Sequence, residues 1–299
     1  MSGVIDINLN DVRNYLFEKV VGFQIDSFPK KWELEDKFTG TQKNQKSRES
    51  CVAETFSSII EAYWNQALGI NEEHSEGFIY GAYRNEYSNS PGLAVVNAVK
   101  YACAIGSLPK KYFDKVCEMP EIKELVNKVP DLYQIAFEYR ASGYVLINYG
   151  DLKKRDLAIK NALQIYNRGL VGVYDNHCVQ IVGWDDDTDE YIFKNSYGAD
   201  WGEKGRGRKK KNKFSNIALL LFEPTQIPFT DIKPTDWFAK DVANMYFAGI
   251  INGKSETKFD PNGYITRAEV AAMLNRFSKK LYEQDVLNKK CEEAYDEIF

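Results

Sequence analysis

The spacing of the apolar residues changes near residue 140, and this change limits the possible folds more than any other feature of the sequence. From Cys51 onward, apolar residues recur every three or four positions, which predicts a helix that ends near Gly69. A second helix is predicted over about residues 92–105, and further helical segments extend to about residue 140. The first half of the chain is therefore predicted to be mainly helical.

After residue 140 the chain shows short runs rich in Val, Ile and Tyr, bounded by Gly, Asn and Asp, which are typical of strands. The predicted strands are 144–148, 170–174, 178–184, 191–195 and 217–222. One predicted helix, at about 156–168, interrupts them. Helices followed by strands predict an α+β domain with a helical lobe and a β-sheet lobe.

The chain of 299 residues is long enough for one large domain and a smaller one. We divide it into a leader segment at 1–27, a main domain at 28–224, a small all-α unit at 229–280 and a helical tail at 281–299. The residues between the main domain and the small unit, Glu-Pro-Thr-Gln-Ile-Pro at 223–228, are typical of a linker. In the small unit, Thr266 followed by Glu269 predicts a capping box at the start of a helix.

The charge and the apolar content exclude some classes of protein. The net charge of −4 is unlike that of a dedicated nucleic-acid binder, so no nucleic-acid partner is expected. A basic run at 206–213 is interpreted as an exposed surface segment. No run approaches the roughly 20 apolar residues that cross a bilayer, so no membrane span is expected.

The N-terminal residues lack the basic start and apolar core of a secretory signal. Removal of a signal, unconventional export and transport within a particle such as a virion are therefore all left open. The five cysteines fit neither a metal pattern nor a compact disulfide framework, and we expect no metal and no cofactor.

Cys51 stands where a reactive cysteine is expected. It begins a predicted helix, where free backbone N–H groups and the helix dipole favour a thiolate. The chain has only two histidines, so a base for this thiol is either His74 or His177. His74 lies in an acidic, polar stretch and is expected to be solvated, whereas His177 opens an alternating strand. Cys178, the next residue, is expected to face the core.

Four blocks, taken in order, resemble the papain-like cysteine peptidase family. They are Phe-Pro-Lys-Lys-Trp-Glu-Leu at 28–34, Asn-Gln at 44–45 ahead of Cys51, Asn-His at 176–177, and Asn-Ser-Tyr-Gly-Ala-Asp-Trp-Gly-Glu-Lys-Gly-Arg-Gly at 195–207. The resemblance covers about residues 25–225. It implies a two-lobed fold with the active site between the lobes.

The resemblance also implies a role for each matching residue. Cys51 is the nucleophile, His177 is the base and acid, and Asn195 orients the imidazole. The Gln45 side chain and the Cys51 backbone N–H form the oxyanion hole. Tyr197 replaces a tryptophan of the family and is expected to shield the Asn195–His177 hydrogen bond, with Trp201 packed beneath it.

The chain departs from the family beside the nucleophile. Where the family has Cys-Gly-Ser-Cys-Trp, residues 48–52 read Arg-Glu-Ser-Cys-Val. The carboxylate of Glu49 is expected to narrow the cleft, to favour a basic substrate, or to raise the thiol pKa by repulsion. Gly92 and Leu93, after Ser-Pro at 90–91, resemble the family's specificity pocket and are candidate substrate contacts.

The small unit resembles an S-layer-homology module. The matching residues are 229–232, Trp237, 249–253, 259–261 and 265–269. The resemblance implies binding of secondary cell-wall polysaccharide, with Arg267 as the main ligand and Trp237, Asn252 and Gly253 nearby. Such modules usually occur in threes, and this chain has one. A homotrimer or a particle assembly, formed through the module and the C-terminal helix, is therefore expected.

Taken together, these resemblances predict a cysteine-type endopeptidase that hydrolyses peptide bonds in protein or peptide substrates. The expected location is extracellular, at a cell wall or surface, with association with a virion as the alternative. Two other functions stay open: a catalytically inactive structural or adhesive protein with the same fold, and a transamidating envelope enzyme with the same triad. The sequence leaves the natural substrate, the activation route and the effect of Glu49 and Val52 on activity undecided.

Overall fold

A computed structural model describes Ile25 and residues 27–83, 92–113, 124–125, 127–147, 149–222, 228–233, 236–247 and 249–296. The chain divides into two compact units. The first unit comprises Met1–Tyr63 and Glu72–Phe222, and the second comprises Trp64–Asn71 and Glu223–Phe299. The leader segment, apart from two residues, and most of the linker lie outside the described residues.

Among the described residues, four helices precede the strands that follow residue 140, as the apolar spacing predicts, and a fifth interrupts those strands. They are α1 (Cys51–Leu68), α2 (Glu76–Ala82), α3 (Val95–Ala104), α4 (Asp131–Glu138) and α5 (Leu152–Tyr166), and the last five residues of α1 fall in the second unit. Helix α1 stops before Gly69, which adopts a φ of +67° that favours glycine. Its residues 52–62 are all buried, including two glutamates that the apolar pattern does not predict to be inside.

Within the described residues, seven strands form one antiparallel sheet. They are β1 (Lys31–Glu33), β2 (Gly143–Leu146), β3 (Leu170–Tyr174), β4 (His177–Asp185), β5 (Glu190–Lys194), β6 (Arg206–Lys210) and β7 (Ser215–Leu221). The order is β2-β7-β3-β4-β5-β6, and β1 pairs with the end of β4 that β3 does not reach. The α+β fold class is therefore confirmed.

The basic run at 206–213 forms strand β6 and the short helical turn after it, and most of its residues are half-buried, which corrects the prediction of an exposed segment. Strand β6 forms one end of the sheet order, and charged residues are common on such edge strands because they discourage further pairing. Two of its arginines are held by carboxylates: Arg206 Nη2 donates to Asp36 at 2.7 Å, and Arg208 Nη1 donates to Asp185 at 3.4 Å.

One hydrophobic core of the first unit lies between α5 and strands β3 and β4. Trp184 is fully buried at its centre, stacks on Trp32 with ring centroids 5.0 Å apart, and donates its Nε1–H to the Pro29 carbonyl. These contacts fix β1 to β4. Cys178 is 1% exposed, which confirms that it faces the core.

His74 is buried, which corrects the prediction that it is solvated. Its side chain is 0% exposed, and the ring packs edge-on to Tyr139 at 5.0 Å. Burial lowers the pKa of His74 to about 3, so the ring is neutral at neutral pH. The prediction failed because the polar neighbours of His74 in the sequence do not show the three-dimensional packing around it.

The second unit has its own small core of Phe229, Ile232, Val242, Ile250 and Ile251. Its helices are α6 (Ala239–Phe247) and α7 (Arg267–Asp296). The predicted capping box is confirmed, because Glu269 N donates to Thr266 Oγ1 at 3.1 Å while Thr266 N donates to Glu269 Oε2 at 2.7 Å. Helix α7 continues through residues 280 and 281, where we placed the end of the module.

Within the described residues, none of the helices combines the length and the apolar character needed to cross a membrane.

Candidate active site

A cavity of about 250 Å³ in the first unit brings six of the predicted site residues together. Its lining residues are Gln45, Arg48, Glu49, Cys51, Val52, Gly92, Leu93, Asn176, His177 and Tyr197. The predicted nucleophile, base and oxyanion residue therefore share one space with all three predicted substrate contacts. Asn195 lies behind this space, against His177.

Cys51 is the first residue of α1 and is partly exposed. Burial raises the pKa of its thiol, and backbone groups of Cys178, Val52 and Cys51 itself act in the opposite direction. Within the described part of the chain, no hydrogen bond joins the Cys51 thiol to His177. The helix start alone therefore does not make the thiol acidic in the free chain.

His177 directly follows the two-residue turn of a β-hairpin. Strand β3 ends at Tyr174 and β4 begins at His177, and the two residues between them, Asp175 and Asn176, have φ values of 46° and 61°. Positive φ at both positions is the geometry of a type I′ turn, which Asp and Asn tolerate well. The turn leaves His177 at the mouth of the cavity and directs Cys178 to the opposite face of the strand.

Asn195 holds the imidazole of His177. The two side chains meet at 2.7 Å between Nε2 and Oδ1, and Oδ1 also accepts from the Ser196 backbone N–H at 2.8 Å. An amide oxygen only accepts, so Nε2 carries the hydrogen and Nδ1 is left as an acceptor. Burial lowers the pKa of His177, and the hydrogen bond to Asn195 acts in the opposite direction.

Aromatic rings cover the His177–Asn195 pair. Tyr197 stacks on the imidazole with centroids 5.0 Å apart and planes 23° apart, and Trp201 meets Tyr197 edge-on at 5.7 Å. Tyr174 lies edge-on to the imidazole at 5.8 Å. The predicted packing of Tyr197 and Trp201 is therefore present.

Gln45 is buried and held on two sides. Its Oε1 accepts from Ser196 Oγ at 2.5 Å, and its Nε2 donates to the Arg48 carbonyl at 2.6 Å. The backbone of Gln45 also donates to the Ser196 carbonyl at 2.8 Å. Since Nε2 carries two hydrogens, one remains for a group in the cavity.

A buried ionic cluster supports the segment that carries Gln45. Lys43 and Glu61 form an ion pair at 2.9 Å with side chains 4% and 0% exposed. Glu61 also accepts from the backbone N–H groups of Thr41 at 2.5 Å and His74 at 2.9 Å. Lys194 donates to the carbonyls of residues 39–41. The apolar pattern of the sequence did not predict this cluster, because Glu61 lies outside the apolar stripe of α1.

The three predicted substrate contacts lie together. Glu49 is exposed, and a Cβ atom on Gly92 would stand 3.6 Å from its Oε2. Leu93 is 9% exposed and lines the same cavity. Gly92 adopts a φ of +82°, which other residues rarely take.

The four predicted glycan ligands lie in the second unit. Trp237 is 86% exposed, and Asn252 and Arg267 are exposed as well. Gly253 is packed against the Phe229 ring, which leaves no room for a side chain. Within the described residues, no group of three or more His, Cys, Asp or Glu side chains is arranged to hold a metal ion.

Comparison with protein families gives two matches. Residues 28–220 match the model of the papain family cysteine protease, and residues 228–271 match the S-layer homology domain.

Two curated relatives are viral cathepsins. The chain is 27% identical over 208 residues to the one from Cydia pomonella granulosis virus, which is 58% of this chain and 54% of that protein. It is 42% identical over 53 residues to the one from Heliothis zea nuclear polyhedrosis virus, which is 16% of this chain and 14% of that protein. The chain thus spans about half the length of the first of these proteins and much less of the second.

Solved structures of similar fold include the cysteine protease xylellain from Xylella fastidiosa. It matches with a TM-score of 0.56 at 17% identity, over 74% of this chain and 96% of that one. Digestive procathepsin L 3 from Tenebrio molitor matches with a TM-score of 0.52 at 17% identity, over 67% of this chain and 72% of that one. At these identities the likeness concerns the fold.

Proposed function

Because the chain belongs to the papain family of cysteine proteases, whose model spans residues 28–220, we propose that it is a cysteine-type endopeptidase acting through Cys51, His177 and Asn195. The observation that carries the proposal is the cavity shared by Cys51, His177 and Gln45, together with the 2.7 Å hydrogen bond from His177 to Asn195. A protein or peptide with its scissile bond over Cys51 is the proposed substrate.

In the acylation step, His177 Nδ1 takes the proton of the Cys51 thiol, and the sulfur attacks the carbonyl carbon of the scissile bond. The oxyanion that forms accepts hydrogen bonds from Gln45 Nε2 and the Cys51 backbone N–H. His177 then gives its proton to the leaving amine, the C–N bond breaks, and a thioester to Cys51 remains.

In the deacylation step, His177 takes a proton from water as the oxygen attacks the thioester carbonyl. The C–S bond breaks, the second product leaves as a carboxylic acid, and the proton on His177 returns to the Cys51 sulfur. Asn195 keeps Nε2 protonated throughout, so Nδ1 is always the nitrogen that exchanges protons.

The first proton transfer has to begin from a neutral pair. Burial raises the pKa of Cys51 and lowers that of His177. Both pKa shifts favour the neutral thiol and imidazole over the thiolate and imidazolium. Catalytic hydrogen bonds are often long in free enzymes and tighten when substrate binds. We therefore place formation of the ion pair after substrate binding.

Glu49 is proposed as a selector of basic substrates. Its carboxylate is exposed beside Cys51 and Gly92, where it would meet a substrate side chain near the scissile bond. A Lys or Arg side chain there gains an ion pair, and an acidic one is repelled.

The second unit is proposed as an anchor. Residues 228–271 match the S-layer homology model, and Trp237, Asn252 and Arg267 expose an aromatic ring, an amide and a guanidinium suited to a polysaccharide. We propose Arg267 as the main ligand, with Gly253 beside Asn252, and a location at a cell wall or surface. The likeness to viral cathepsins supports association with a virion as the alternative, and a homotrimer remains the proposed assembly.

Hydrolysis of a generic peptide substrate by the wild type, Cys51→Ala and Cys103→Ala tests the proposed activity. Cys103 is a partly exposed free thiol outside the cavity, and burial raises its pKa to about 11, so it is a matched control. We expect Cys51→Ala to lose at least about 10⁴-fold in rate and Cys103→Ala to keep the wild-type rate. A thiol-directed epoxide should label only Cys51. Full activity in Cys51→Ala would disprove the proposal.

One observation favours a second candidate, a structural or adhesive protein with an inactive peptidase fold. It is the raised pKa of the Cys51 thiol, together with the lack of a hydrogen bond to His177 in the described residues. This candidate predicts no labelling of Cys51 at pH 7 and no acyl-enzyme in mass spectra of the protein mixed with peptide esters. Rapid labelling that His177→Ala slows would rule it out.

A further inference from the structure

A small internal cavity lies between α1 and the sheet, on the far side of Asn195 from His177. The centre of a water molecule can occupy about 10 Å³ of this cavity. All of its lining residues are less than one tenth exposed: Lys43, Glu54, Thr55, Ser58, Gln180, Lys194, Asn195 and Ser196. The cavity is thus lined by buried polar side chains and is about the size of one water, which needs roughly 10–15 Å³ by this measure.

Three of the lining residues carry buried polar atoms that have no hydrogen-bond partner in the described part of the chain. They are Oε2 of Glu54, both side-chain amide atoms of Gln180, and Nδ2 of Asn195. Leaving such an atom unsatisfied costs roughly 1–3 kcal/mol, so several of them around one polar space point to a shared partner.

We propose that one water molecule occupies this cavity and links Glu54 and Gln180 to the side-chain amide of Asn195, which makes Glu54 a positioning residue for the His177–Asn195 pair. The inference rests on the proposed function in that it concerns the same three catalytic groups. The water accepts from Asn195 Nδ2 and donates to Glu54 Oε2, while Gln180 supplies the remaining partner.

The side-chain amide of Asn195 needs this support because one of its ends accepts hydrogen bonds and the other donates them. Oδ1 of Asn195 faces the imidazole and the Ser196 N–H, and both of these are donors. If the amide turned over, Nδ2 would face the Nε2–H of His177, donor against donor. An acceptor behind Nδ2 therefore keeps Oδ1 toward His177 and keeps the Nε2–H tautomer.

Glu54 is itself fixed at the start of the helix that carries the nucleophile. Its Oε1 accepts from Ser50 Oγ at 2.9 Å, and Ser50 directly precedes Cys51. The same carboxyl group thus touches the helix start on one side and the cavity behind Asn195 on the other. None of the four blocks that relate the chain to its family includes this residue.

The charge state of Glu54 changes near neutral pH, but the link does not depend on that change. Burial, followed by repulsion from Glu76, raises the pKa of Glu54 to about 7, against the opposing effects of Ser50, Lys43 and Arg48. Lys194, on β5, lines the same cavity. The carboxyl group can accept from the water in both charge states, so the link persists on either side of pH 7.

The test compares Glu54→Leu, Glu54→Gln and Gln180→Leu with the control Ser57→Ala. Ser57 is 0% exposed on the same helix and does not line the cavity, and its hydroxyl donates to the Glu54 backbone carbonyl and not to the Glu54 carboxyl group, so its loss reports a structural effect alone. Each variant is labelled with ¹⁵N-histidine, and the tautomer of His177 is read from long-range ¹H–¹⁵N spectra. The chain has two histidines, and His74, with its pKa near 3, stays neutral between pH 5 and 9.

We expect the Nε2–H tautomer in the wild type, Glu54→Gln and Ser57→Ala, and a mixture of tautomers in Glu54→Leu and Gln180→Leu. We also expect Glu54→Leu to lower kcat about tenfold without a change in KM, and Glu54→Gln to restore most of the loss. A wild-type tautomer and kcat in both leucine variants would overturn the proposal, as would a high-resolution crystal structure with no water density in the cavity.

The NMR readout does not depend on turnover. If the wild type hydrolyses nothing but Glu54→Leu mixes the tautomers, the proposed activity fails and the positioning link stands. If Glu54→Leu does not fold, the same spectra of Gln180→Leu and Glu54→Gln test the positioning link. The electron density for a water in the cavity of a wild-type crystal tests it without any variant.

Discussion

Replacing Glu61 by glutamine should lower the unfolding temperature of the first unit strongly, because Glu61 is the acceptor at the centre of a buried cluster. Its carboxylate is 0% exposed and meets Lys43 at 2.9 Å and the His74 N–H at 2.9 Å. A glutamine side chain offers one acceptor oxygen instead of two, and its NH₂ group faces at least one of these donors. Lys43, itself 4% exposed, then keeps only the more distant carboxylate of Glu76, at 3.7 Å.

The size of the effect follows from the burial of both partners. Removing one partner of a buried ion pair costs about 3–5 kcal/mol in the free energy of unfolding. For a unit of roughly 150–250 residues, each kcal/mol lowers Tm by about 2–4 °C. We therefore expect Glu61→Gln to lower the Tm of the first unit by roughly 6–20 °C.

Differential scanning calorimetry is the suitable assay, since it separates the transitions of two units. The control is Asp187→Asn, which breaks an ion pair with Lys30 at 3.1 Å whose side chains are 66% and 80% exposed. Exposed pairs of this kind contribute about 0–1 kcal/mol, so the control should shift Tm by no more than about 4 °C. If the two variants shift Tm equally, the argument from burial is wrong.

Three further predictions concern the oxyanion hole, the pH dependence of stability and the second unit. Gln45→Ala should lower kcat about 10²–10³-fold with little change in KM, because one oxyanion donor is lost; an equal effect on KM would contradict this role. The folded-state pKa of Glu54, about 7, lies above its unfolded value near 4.3. Its contribution to stability is therefore full below about pH 4.3 and is lost as the pH rises through 7, by roughly 4 kcal/mol in all, and urea unfolding of Glu54→Gln should lack this decline. Thr266→Ala should destabilise the second unit by about 1 kcal/mol in the same calorimetric scans, since it removes the capping box of α7, and an unchanged transition would count against that contact.

The sequence predicted the parts of the fold that depend on local pattern. The helix that begins at Cys51, the strand that begins near His177 and the capping box at Thr266 all follow from spacing or from short motifs, and the structure contains each of them. The fold class follows from the order of these elements. The domain boundaries stay predictions, and α7 runs through the one placed at 280–281.

The buried polar residues were not predicted, for a physical reason. From the sequence alone, glutamates such as Glu54 and Glu61 in a helix are interpreted as solvent-facing. Their burial can be predicted only if their partners are known, and those partners are distant in the chain. Gln180 lies far from Glu54 in sequence, and both line one cavity only because α1 rests against β4. His74 was misjudged for the same reason. The residues predicted to be catalytic belong to short sequence motifs, whereas the buried residues that support them belong to no motif.

The type I′ turn at Asp175 and Asn176 makes His177 part of the sheet, and this determines how the catalytic distance varies. His177 pairs with Tyr174 across the hairpin, so the imidazole moves with β4, while Cys51 moves with α1. One hydrogen bond, from Thr55 Oγ1 to the Cys178 carbonyl at 3.3 Å, joins these two bodies beside the site. The distance between the Cys51 sulfur and the imidazole is thus set by how α1 packs against β4, so we expect substitutions along that contact to change the reaction rate without altering either catalytic residue.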